Sequence, residues 1–305
     1  MRRTLSLGDG WLFHLGDIGL EDAQSKRVVY LEAKCERKRS GPAAYGYPDQ
    51  SEEYSDSGLL TRETWQQIML PHDYIIGQAP DGEYNNALGC FRYKNAWYRK
   101  HFTLDAADAC KRVRVYFEGA AVHTTVYANG CYMMTNRCGY NSFEADLSDV
   151  VSFGKDNVLA VHIDATGEHE GWWYEGAGIY RPVWLEICDE VSVDRYGVYV
   201  HPERLAPGMW NVPVDTTIRN DGFEPAMVTV ETCLISPDGT ETAACAGEFS
   251  VPMREKATLR QTMGMKNPEL WSVDTPCLYT AVTRVLVKGE CVDEQHNRFG
   301  FRTIR

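Results

Sequence analysis

The sequence predicts an all-β protein made of two sandwich domains, and three observations support this prediction. Apolar and polar residues alternate with the two-residue period of strands in runs such as KRVRVYFEGA and NVLAVHIDA. Turn dipeptides such as NG, DG, NP and TP separate these runs. The length of 305 residues exceeds the roughly 250 at which single cores stop growing, so we expect two cores.

The first part of the chain contains the clearest local signals. In KRVRVYFEGA, Val113, Val115 and Phe117 would lie on the buried face of a half-buried strand. In HTTVYANGCYMM, Asn129 and Gly130 accept the positive φ angles of a type I′ turn, so this segment is predicted to be a hairpin. The segment TRETWQQIML is the one whose pattern favours a helix, and a short one.

The character of the chain changes near residues 186 to 193, where an aromatic-rich part gives way to a second set of strands. After RYGVYVHPE follow NVPVDTTIRN, AMVTVETCLIS, KATLRQTMGM, LYTAVTRVLV and NRFGFRTIR. Short strands separated by such turn dipeptides are typical of an immunoglobulin-like β-sandwich of about 100 residues. We therefore place the domains at 1–190 and 191–305. Residues 34–58, rich in charge, Gly, Pro and Ser, are interpreted as a loop insertion in the first.

Composition and charge exclude several classes of protein. The hydrophobic fraction of 44% and charged fraction of 24% are typical of a globular domain in water. A net charge of −12 would repel phosphate backbones and anionic membranes, so we expect no nucleic acid and no membrane partner. We find no export signal, and no segment approaches roughly 18 apolar residues.

The ten cysteines contain no CxxC pair, which argues against a zinc or redox motif. We therefore predict no metal and no other cofactor. Because no export signal is visible, we expect a cytoplasmic protein with reduced, mostly buried thiols. The even number of cysteines leaves disulfides in an oxidising compartment as the alternative.

A series of segments spread over nearly the whole chain then identifies a family. In chain order they are SLGDGWLFHLGD, TWQQIMLPHDY, AWYRKHFTL, VYFEGAAVHTTVYANG, GYNSFEADLSDVV, DNVLAVHID, GAGIYRPVWLEI, NPELWSVDTPCLYT and FGFRTIR. In this order they resemble the N-terminal half of glycoside hydrolase family 2 enzymes, which include β-galactosidases, β-glucuronidases and β-mannosidases. The resemblance implies a jelly-roll, galactose-binding-like sandwich followed by an immunoglobulin-like sandwich. It also implies a C-terminal (β/α)₈ barrel in the parent enzyme, after the phrase FGFRTI.

The resemblance implies that no catalytic residue lies in this chain. Retaining hydrolysis needs two carboxyl groups about 5 to 5.5 Å apart, and in the family both glutamates belong to the barrel. Glu168, Glu170 and Glu175 cluster beside aromatic residues, but proximity in a loop neither fixes their separation nor moves their pKa values apart. His169 lacks the further ligands of a metal centre. We expect the chain alone to be inactive.

The stretch EGWWYEGAGIYRPVWLE is the first candidate for substrate binding. Trp172, Trp173 and Tyr174 could stack on the C–H faces of a sugar, and the Glu175 carboxylate could accept hydrogen bonds from the sugar hydroxyls. The alternative is that these rings only pack into the sandwich. The resemblance implies that this loop reaches toward the barrel's active-site mouth. At the position where relatives carry a charged residue for substrate or sodium, this chain has Trp172.

The loop before AWYRKHF is the second candidate. The resemblance implies that an Asn or Asp of this loop points toward the substrate, and Asn85 and Asn86 are the nearest candidates. Tyr84 and Arg92 are further alternatives.

Five other residues are interpreted as structural or interface residues. Gly176 and Gly178 suit a tight or positive-φ turn. Arg181 is predicted to make a buried fork of hydrogen bonds between domains, to carbonyls or a carboxylate. The adjacent His72 and Asp73 suggest acid–base chemistry, but without a nucleophile motif we favour a hydrogen-bonded turn.

The sequence thus predicts the non-catalytic N-terminal region of a β-galactosidase-like glycoside hydrolase. The phrases LPHDY and GAGIYR favour a β-galactoside over a related β-glycoside as the carbohydrate partner. The resemblance also implies a homo-oligomer, because enzymes of the family commonly assemble into oligomers. A free-standing lectin-like carbohydrate-binding protein and a structural or protein-interaction module are the alternative functions.

Overall fold

The computed structural model describes residues 1–17, 41–45, 65–167 and 174–303. The chain forms two compact units, and the main break between them falls after Glu186. The first unit comprises Thr4–Ala109 and Val113–Glu186, and the second comprises Met1–Arg3, Cys110–Arg112 and Ile187–Arg305. The described residues form strands and three short 3-10 turns. Among these residues, no helix is long and apolar enough to cross a bilayer.

The first unit is a jelly-roll sandwich. One of its sheets has the order β1-β10-β5-β8 and the other the order β3-β2-β4-β9-β6-β7. The strands are β1 Arg3–Ser6, β2 Trp11–Leu15, β3 Gln66–Ile68, β4 Ala96–Thr103, β5 Arg112–Phe117, β6 His123–Ala128, β7 Cys131–Asn136, β8 Phe143–Asp146, β9 Asp156–Asp164 and β10 Val183–Cys188. The 3-10 turns are Gly41–Ala43, Asn86–Leu88 and Ala106–Asp108.

The prediction of a half-buried strand at KRVRVYFEGA is correct in type but wrong in exposure. On β5, Val113, Val115 and Phe117 are fully buried, as expected. The intervening Arg114 and Tyr116 are buried as well. Arg114 tolerates this position because the neighbouring strand β8 brings acidic side chains within 3.7 and 3.8 Å of its Nε, which offsets the cost of burying a charge.

Two further local predictions have opposite outcomes. The hairpin is confirmed: β6 and β7 pair in antiparallel fashion, and Asn129 and Gly130 have φ angles of 49° and 81°. The helix at TRETWQQIML is wrong for its described part, because Gln66–Ile68 forms β3 and pairs with β2. A partner strand that is distant in sequence overrides the local pattern there.

The second unit is an immunoglobulin-like sandwich. Its strands are β11 Val191–Val200, β12 Glu203–Ala206, β13 Met209–Asn220, β14 Ala226–Ile235, β15 Glu241–Val251, β16 Lys256–Lys266, β17 Tyr279–Val287 and β18 Glu290–Phe299. One sheet runs β11-β13-β12 with β16 also paired to β13, and the other runs β15-β14-β17-β18. The sequence patterns missed β15, because its segment ETAACAGEFSV is rich in small and polar residues.

A buried charge ties the first residues of the chain into the second unit. Asp293 on β18 is fully buried. Its carboxylate accepts hydrogen bonds from the Arg2 guanidinium at 2.9 Å and from the Val193 backbone N–H at 2.8 Å. Such pairing is what makes a fully buried carboxylate tolerable.

The expected burial of the thiols is wrong for most of the cysteines. Nine cysteines lie in the described part of the chain, and all nine are free. Of these Cys188 is buried, whereas Cys110, Cys138 and Cys291 are exposed. The other five are half-buried, and Cys245 among them packs against the core of the second unit.

Candidate functional site

Two segments of the first unit that are about a hundred residues apart in sequence meet through backbone hydrogen bonds. The His72 N–H donates to the Ile179 carbonyl at 2.8 Å, and the Tyr74 N–H donates to the Ala177 carbonyl at 3.0 Å. The phrases PHDY and GAGIY, which both carried the family resemblance, are therefore parts of one structural element.

Two glycines make this approach possible. Gly176 and Gly178 have φ angles of 71° and 132°, a region that residues with a Cβ rarely adopt. A Cβ on Gly176 would lie 2.6 Å from the Asp73 carboxylate, and one on Gly178 would lie 2.7 Å from the Tyr98 hydroxyl. Gly178 also exchanges two backbone hydrogen bonds of 2.9 Å with Ala121. Both glycines thus have a positive-φ, close-approach geometry.

Asp73 is the hydrogen-bonding centre of this element. Its carboxylate accepts from the N–H groups of Ile75 at 2.8 Å and Ala177 at 3.3 Å, and from the Tyr174 hydroxyl. The Tyr174 ring also packs edge-on against Phe91, with 5.6 Å between ring centroids. Asp73 and Tyr174 therefore hold the two segments together, and the Tyr174 hydroxyl is engaged within the protein.

His72 lies in an apolar, hydrogen-bonded environment. Its Nδ1 is 2.9 Å from the Tyr98 hydroxyl, and its ring contacts Phe13 with 4.7 Å between centroids. Burial lowers the pKa of His72, and the neighbouring Asp73 carboxylate offsets part of this effect. Burial also raises the pKa of Tyr98 well above its ordinary value. The imidazole and the phenol are therefore both uncharged at neutral pH.

A cleft of about 280 Å³ opens next to this element. Three segments of the first unit line it, at 121–123, 137–140 and 175–181. The lining residues are Ala121, Val122, His123, Arg137, Cys138, Gly139, Tyr140, Glu175, Tyr180 and Arg181. Concave sites lined by aromatic rings and a few polar groups are the usual form of small-ligand sites.

The wall at 137–140 is held in place by specific contacts. The buried Asn136 side chain donates to the Cys138 carbonyl at 2.7 Å, and the Tyr180 hydroxyl donates to the Gly139 carbonyl at 2.5 Å. A Cβ on Gly139 would lie 3.0 Å from that of Ala121, so the two walls are in close contact. The cleft is thus a preformed feature of the sandwich.

The prediction of a buried hydrogen-bonding fork at Arg181 is wrong. Arg181 is exposed at the cleft, and its guanidinium carbon lies 5.6 Å from the centroid of the Tyr180 ring. Burial raises the pKa of Tyr180, while the Arg181 charge acts in the opposite direction. A guanidinium over an aromatic ring keeps its N–H groups available to a ligand.

The remaining predicted residues lie in different places. Glu175 lines the cleft, as the one carboxylate among its described residues. Asn85 and Asn86 are exposed and do not line it, and the Asn85 side chain accepts the Ala87 N–H at 2.9 Å. Trp172 and Trp173 lie outside the described residues. In the part of the chain that the structure describes, no cluster of His, Cys, Asp or Glu could hold a metal ion.

Sequence reasoning missed eight of the ten lining residues, including the polar and aromatic side chains of His123, Arg137, Tyr140 and Tyr180. A partial signal was present, because residues 137–140 follow directly on the predicted hairpin and polar loop residues next to strand ends often bind ligands. Whether residues 137–140 lie next to residues 175–181 depends on the order of strands in the sheets, which cannot be read from the sequence.

Comparison with known protein families matches a domain of one family to each of the two units. The profile of "Glycosyl hydrolases family 2, sugar binding domain" matches residues 85–187. The profile of "Glycosyl hydrolases family 2" matches residues 191–302. The two matches are adjacent and together cover more than half of the chain.

Individual relatives agree with these profiles. A β-galactosidase of Bacteroides ovatus is 32% identical over 96% of this chain and 31% of its own length. A β-glucuronidase of Formosa agariphila is 27% identical over 79% of this chain and 27% of its own length. A solved structure of a glycosyl hydrolase family 2 member from Bacteroides cellulosilyticus superposes with a TM-score of 0.80 at 28% identity, covering 99% of this chain and 36% of that one. The chain thus spans about a third of the length of these relatives.

Proposed function

The chain belongs to glycoside hydrolase family 2, and from this membership we propose that it is the N-terminal, non-catalytic region of a β-glycosidase. The observation that carries the proposal is the order of the two family domains, combined with coverage of only 31% of the Bacteroides ovatus relative. In the parent protein, a (β/α)₈ barrel would follow and would carry both catalytic glutamates, acting by the retaining mechanism.

The chemistry of the described residues supports a role in binding. The cleft has a single described carboxylate, Glu175, whereas retaining hydrolysis requires a pair. His72 and Asp73 are engaged in hydrogen bonds that join two backbone segments. In the parent, we propose that the first sandwich supports the barrel and contributes polar and aromatic groups to carbohydrate recognition.

The proposed substrate is a β-galactoside. The relative with the highest identity quoted above is a β-galactosidase. Because β-glucuronidases are also among the relatives, the test must include both sugars.

Hydrolysis assays test this function directly. The 305-residue chain and the product of its complete reading frame are each incubated with aryl β-galactoside, β-glucuronide and β-mannoside. We expect no turnover by the chain alone and turnover by the longer product, fastest with the galactoside. Turnover by the chain alone would overturn its non-catalytic assignment, and preference for the glucuronide would overturn the galactoside assignment.

A second candidate function, carbohydrate binding by the chain on its own, is favoured by the cleft itself. Its walls are fixed by hydrogen bonds and close packing within the first unit. Such a site does not need a barrel to complete its described walls.

A further inference from the structure

Strand β15 is an edge strand that lacks the usual protection against pairing with another chain. In the described part of the chain, β14 is the one strand hydrogen-bonded to it. β15 is eleven residues long, about twice the usual strand length, so its outer edge carries a long row of backbone N–H and C=O groups. Its register with β14 is unbroken from Ala243 to Val251, so no bulge turns this edge away from an approaching strand.

The other strand edges described in the second unit are protected. β16 carries Lys256, Arg260 and Lys266. β11 is bulged between Val193 and Val198, and β12 has four residues. β18 carries several charged side chains, and its pairing with β17 contains an irregularity. Charge, bulges and shortness are the features that keep natural edges from pairing. β15 contains no Lys, Arg or Pro, so its edge is the exception among these strands.

The side chains of β15 leave room for a further strand. Ala244 and Ala246 are exposed on the outer face of the sheet, and Glu248 is the one long side chain that follows them on this face. A groove of about 430 Å³ borders the same face, and Ala244, Ala246 and Val282 are among its lining residues. An added strand would therefore meet backbone groups and a partly apolar surface with little steric hindrance.

The charges at the two ends of β15 indicate which strand pairs with it. The start is acidic, because Asp238 lies in the preceding turn and Glu241 is the first residue of the strand. The end is followed by Arg254, which forms no ion pair within the described part of the chain. The two residues after Arg254 carry opposite charges. Two copies of β15 related by a two-fold axis run antiparallel, which brings the acidic start of each copy close to Arg254 of the other.

We propose that β15 pairs with β15 of a second copy of this chain in antiparallel orientation and joins two four-stranded sheets into one. Backbone hydrogen bonds supply the affinity, and the charges at the strand ends fix the direction. The Arg254 guanidinium carbon lies 4.1 Å from the centroid of the Phe223 ring, which is 76% exposed and adds apolar surface at the same end. A net charge of −12 makes other contacts between copies unfavourable. This inference goes beyond the proposed glycosidase role and does not depend on it.

The mass of the 305-residue chain in solution is the first test. By sedimentation equilibrium we expect a reversible change from 34.5 kDa to twice that mass as the concentration rises through the micromolar range. A monomer at all concentrations up to roughly 0.1 mM would overturn the proposal, because an association weaker than this is not specific.

Hydrogen exchange then locates the contact. The backbone amides of β15 should exchange more slowly at a high protein concentration than at a low one, because the second strand gives the outer edge hydrogen-bond partners. The amides of β16, an edge strand with Lys and Arg side chains, should exchange at the same rate in both samples. A dimer in which exchange from β15 is unchanged would overturn the proposal.

A lysine in the middle of the strand should block the pairing. Ala246 is exposed at the sixth of the eleven positions, so Ala246→Lys keeps the fold but brings two like charges close together across the two-fold axis. We expect it to weaken dimerisation about tenfold or more. Thr262→Lys, which adds the same charge at an exposed position of β16, is the matched control and should leave the affinity unchanged. If Ala246→Lys dimerises as tightly as the original chain, the contact lies elsewhere.

A charge exchange tests the antiparallel orientation. Arg254→Glu should weaken the dimer about fivefold, and combining it with Glu241→Arg should restore most of the affinity. Arg298→Glu makes the same change at an exposed position of β18, the opposite edge of the sheet, and should have no effect. A double variant no tighter than Arg254→Glu would contradict the orientation. None of these measurements involves hydrolysis, so their failure would leave the proposed enzyme function standing, and the reverse also holds.

Discussion

Asp73 shows how one side chain can join distant parts of the first sandwich. It accepts hydrogen bonds from Ile75 on its own segment, and from Tyr174 and Ala177 about a hundred residues later. The sequence predicted a hydrogen-bonded turn at this position. The link to Tyr174 was not predictable, because the sequence offered a separate explanation for each residue. Asp73 was interpreted as part of a local turn and Tyr174 as a ring that stacks on a sugar.

Removing the Asp73 carboxylate should destabilise the protein. In Asp73→Ala the partly buried N–H groups of Ile75 and Ala177 lose their acceptor, so we expect a loss of about 1–3 kcal/mol in the free energy of unfolding. Denaturant titration measures this change. Asp81→Ala is the control, because Asp81 is exposed and accepts one local N–H from Glu83 at 3.0 Å. An equal loss in both variants would contradict the role given to Asp73.

His72 should make stability depend on pH. Burial lowers its folded-state pKa below the ordinary value of 6.5, so the unfolded chain binds the proton more readily than the folded one. The stabilising contribution is therefore complete above about pH 6.5 and is lost as the pH falls from there through the lowered folded pKa. Denaturant titrations at pH 7.5 and 5.5 should show this difference.

Two substitutions isolate that effect. His72→Gln cannot titrate, so it should reduce the stability difference between the two pH values. Asn86→Gln, which exchanges one exposed uncharged side chain for another, should leave the difference unchanged. If His72→Gln keeps the full pH dependence, another group is responsible for it.

At the scale of elements, the glycine-containing segment 176–178 illustrates both the success and the limit of sequence reasoning. The positive φ angles were predicted from the glycines themselves, as they were at Asn129 and Gly130. Arg181 in the same segment was predicted to be buried and is exposed. Backbone preferences are local and can be read from the residue type, whereas burial depends on which strands become neighbours.

The Gly178→Ala variant tests the need for glycine in this element. The added Cβ would meet the Tyr98 hydroxyl and the His72 carbonyl at a φ angle that alanine rarely adopts. We expect a loss of about 1–3 kcal/mol in the free energy of unfolding. Gly264→Ala is the matched control, because no heavy atom lies within 4 Å of its added Cβ. Its stability should stay the same or rise slightly, and a comparable loss there would contradict the close-approach explanation.

The cleft was the feature that sequence analysis could least predict. Its walls come from segments at 121–123, 137–140 and 175–181, which meet only after the sheets have formed. Local sequence patterns identify strands but contain no information on which loops lie at the same edge of a sheet. By contrast, the all-β class and the two sandwich types could be predicted. The two-residue periodicity, the turn dipeptides and the segments that resemble the family recur along the whole chain.

At the scale of the whole molecule, both units match one family, and the chain spans 31% of the Bacteroides ovatus relative and 36% of the solved structure from Bacteroides cellulosilyticus. Our central proposal is that this chain is the non-catalytic region of a larger glycosidase. That claim places the chemistry in a part of the protein that is absent from these 305 residues.

Sequencing the coding DNA beyond the codon for Arg305 tests this claim most directly. We predict an open reading frame that continues into a (β/α)₈ barrel, with two glutamates at the C-terminal ends of its strands. A stop codon directly after Arg305 would contradict the claim and would favour a free-standing carbohydrate-binding protein.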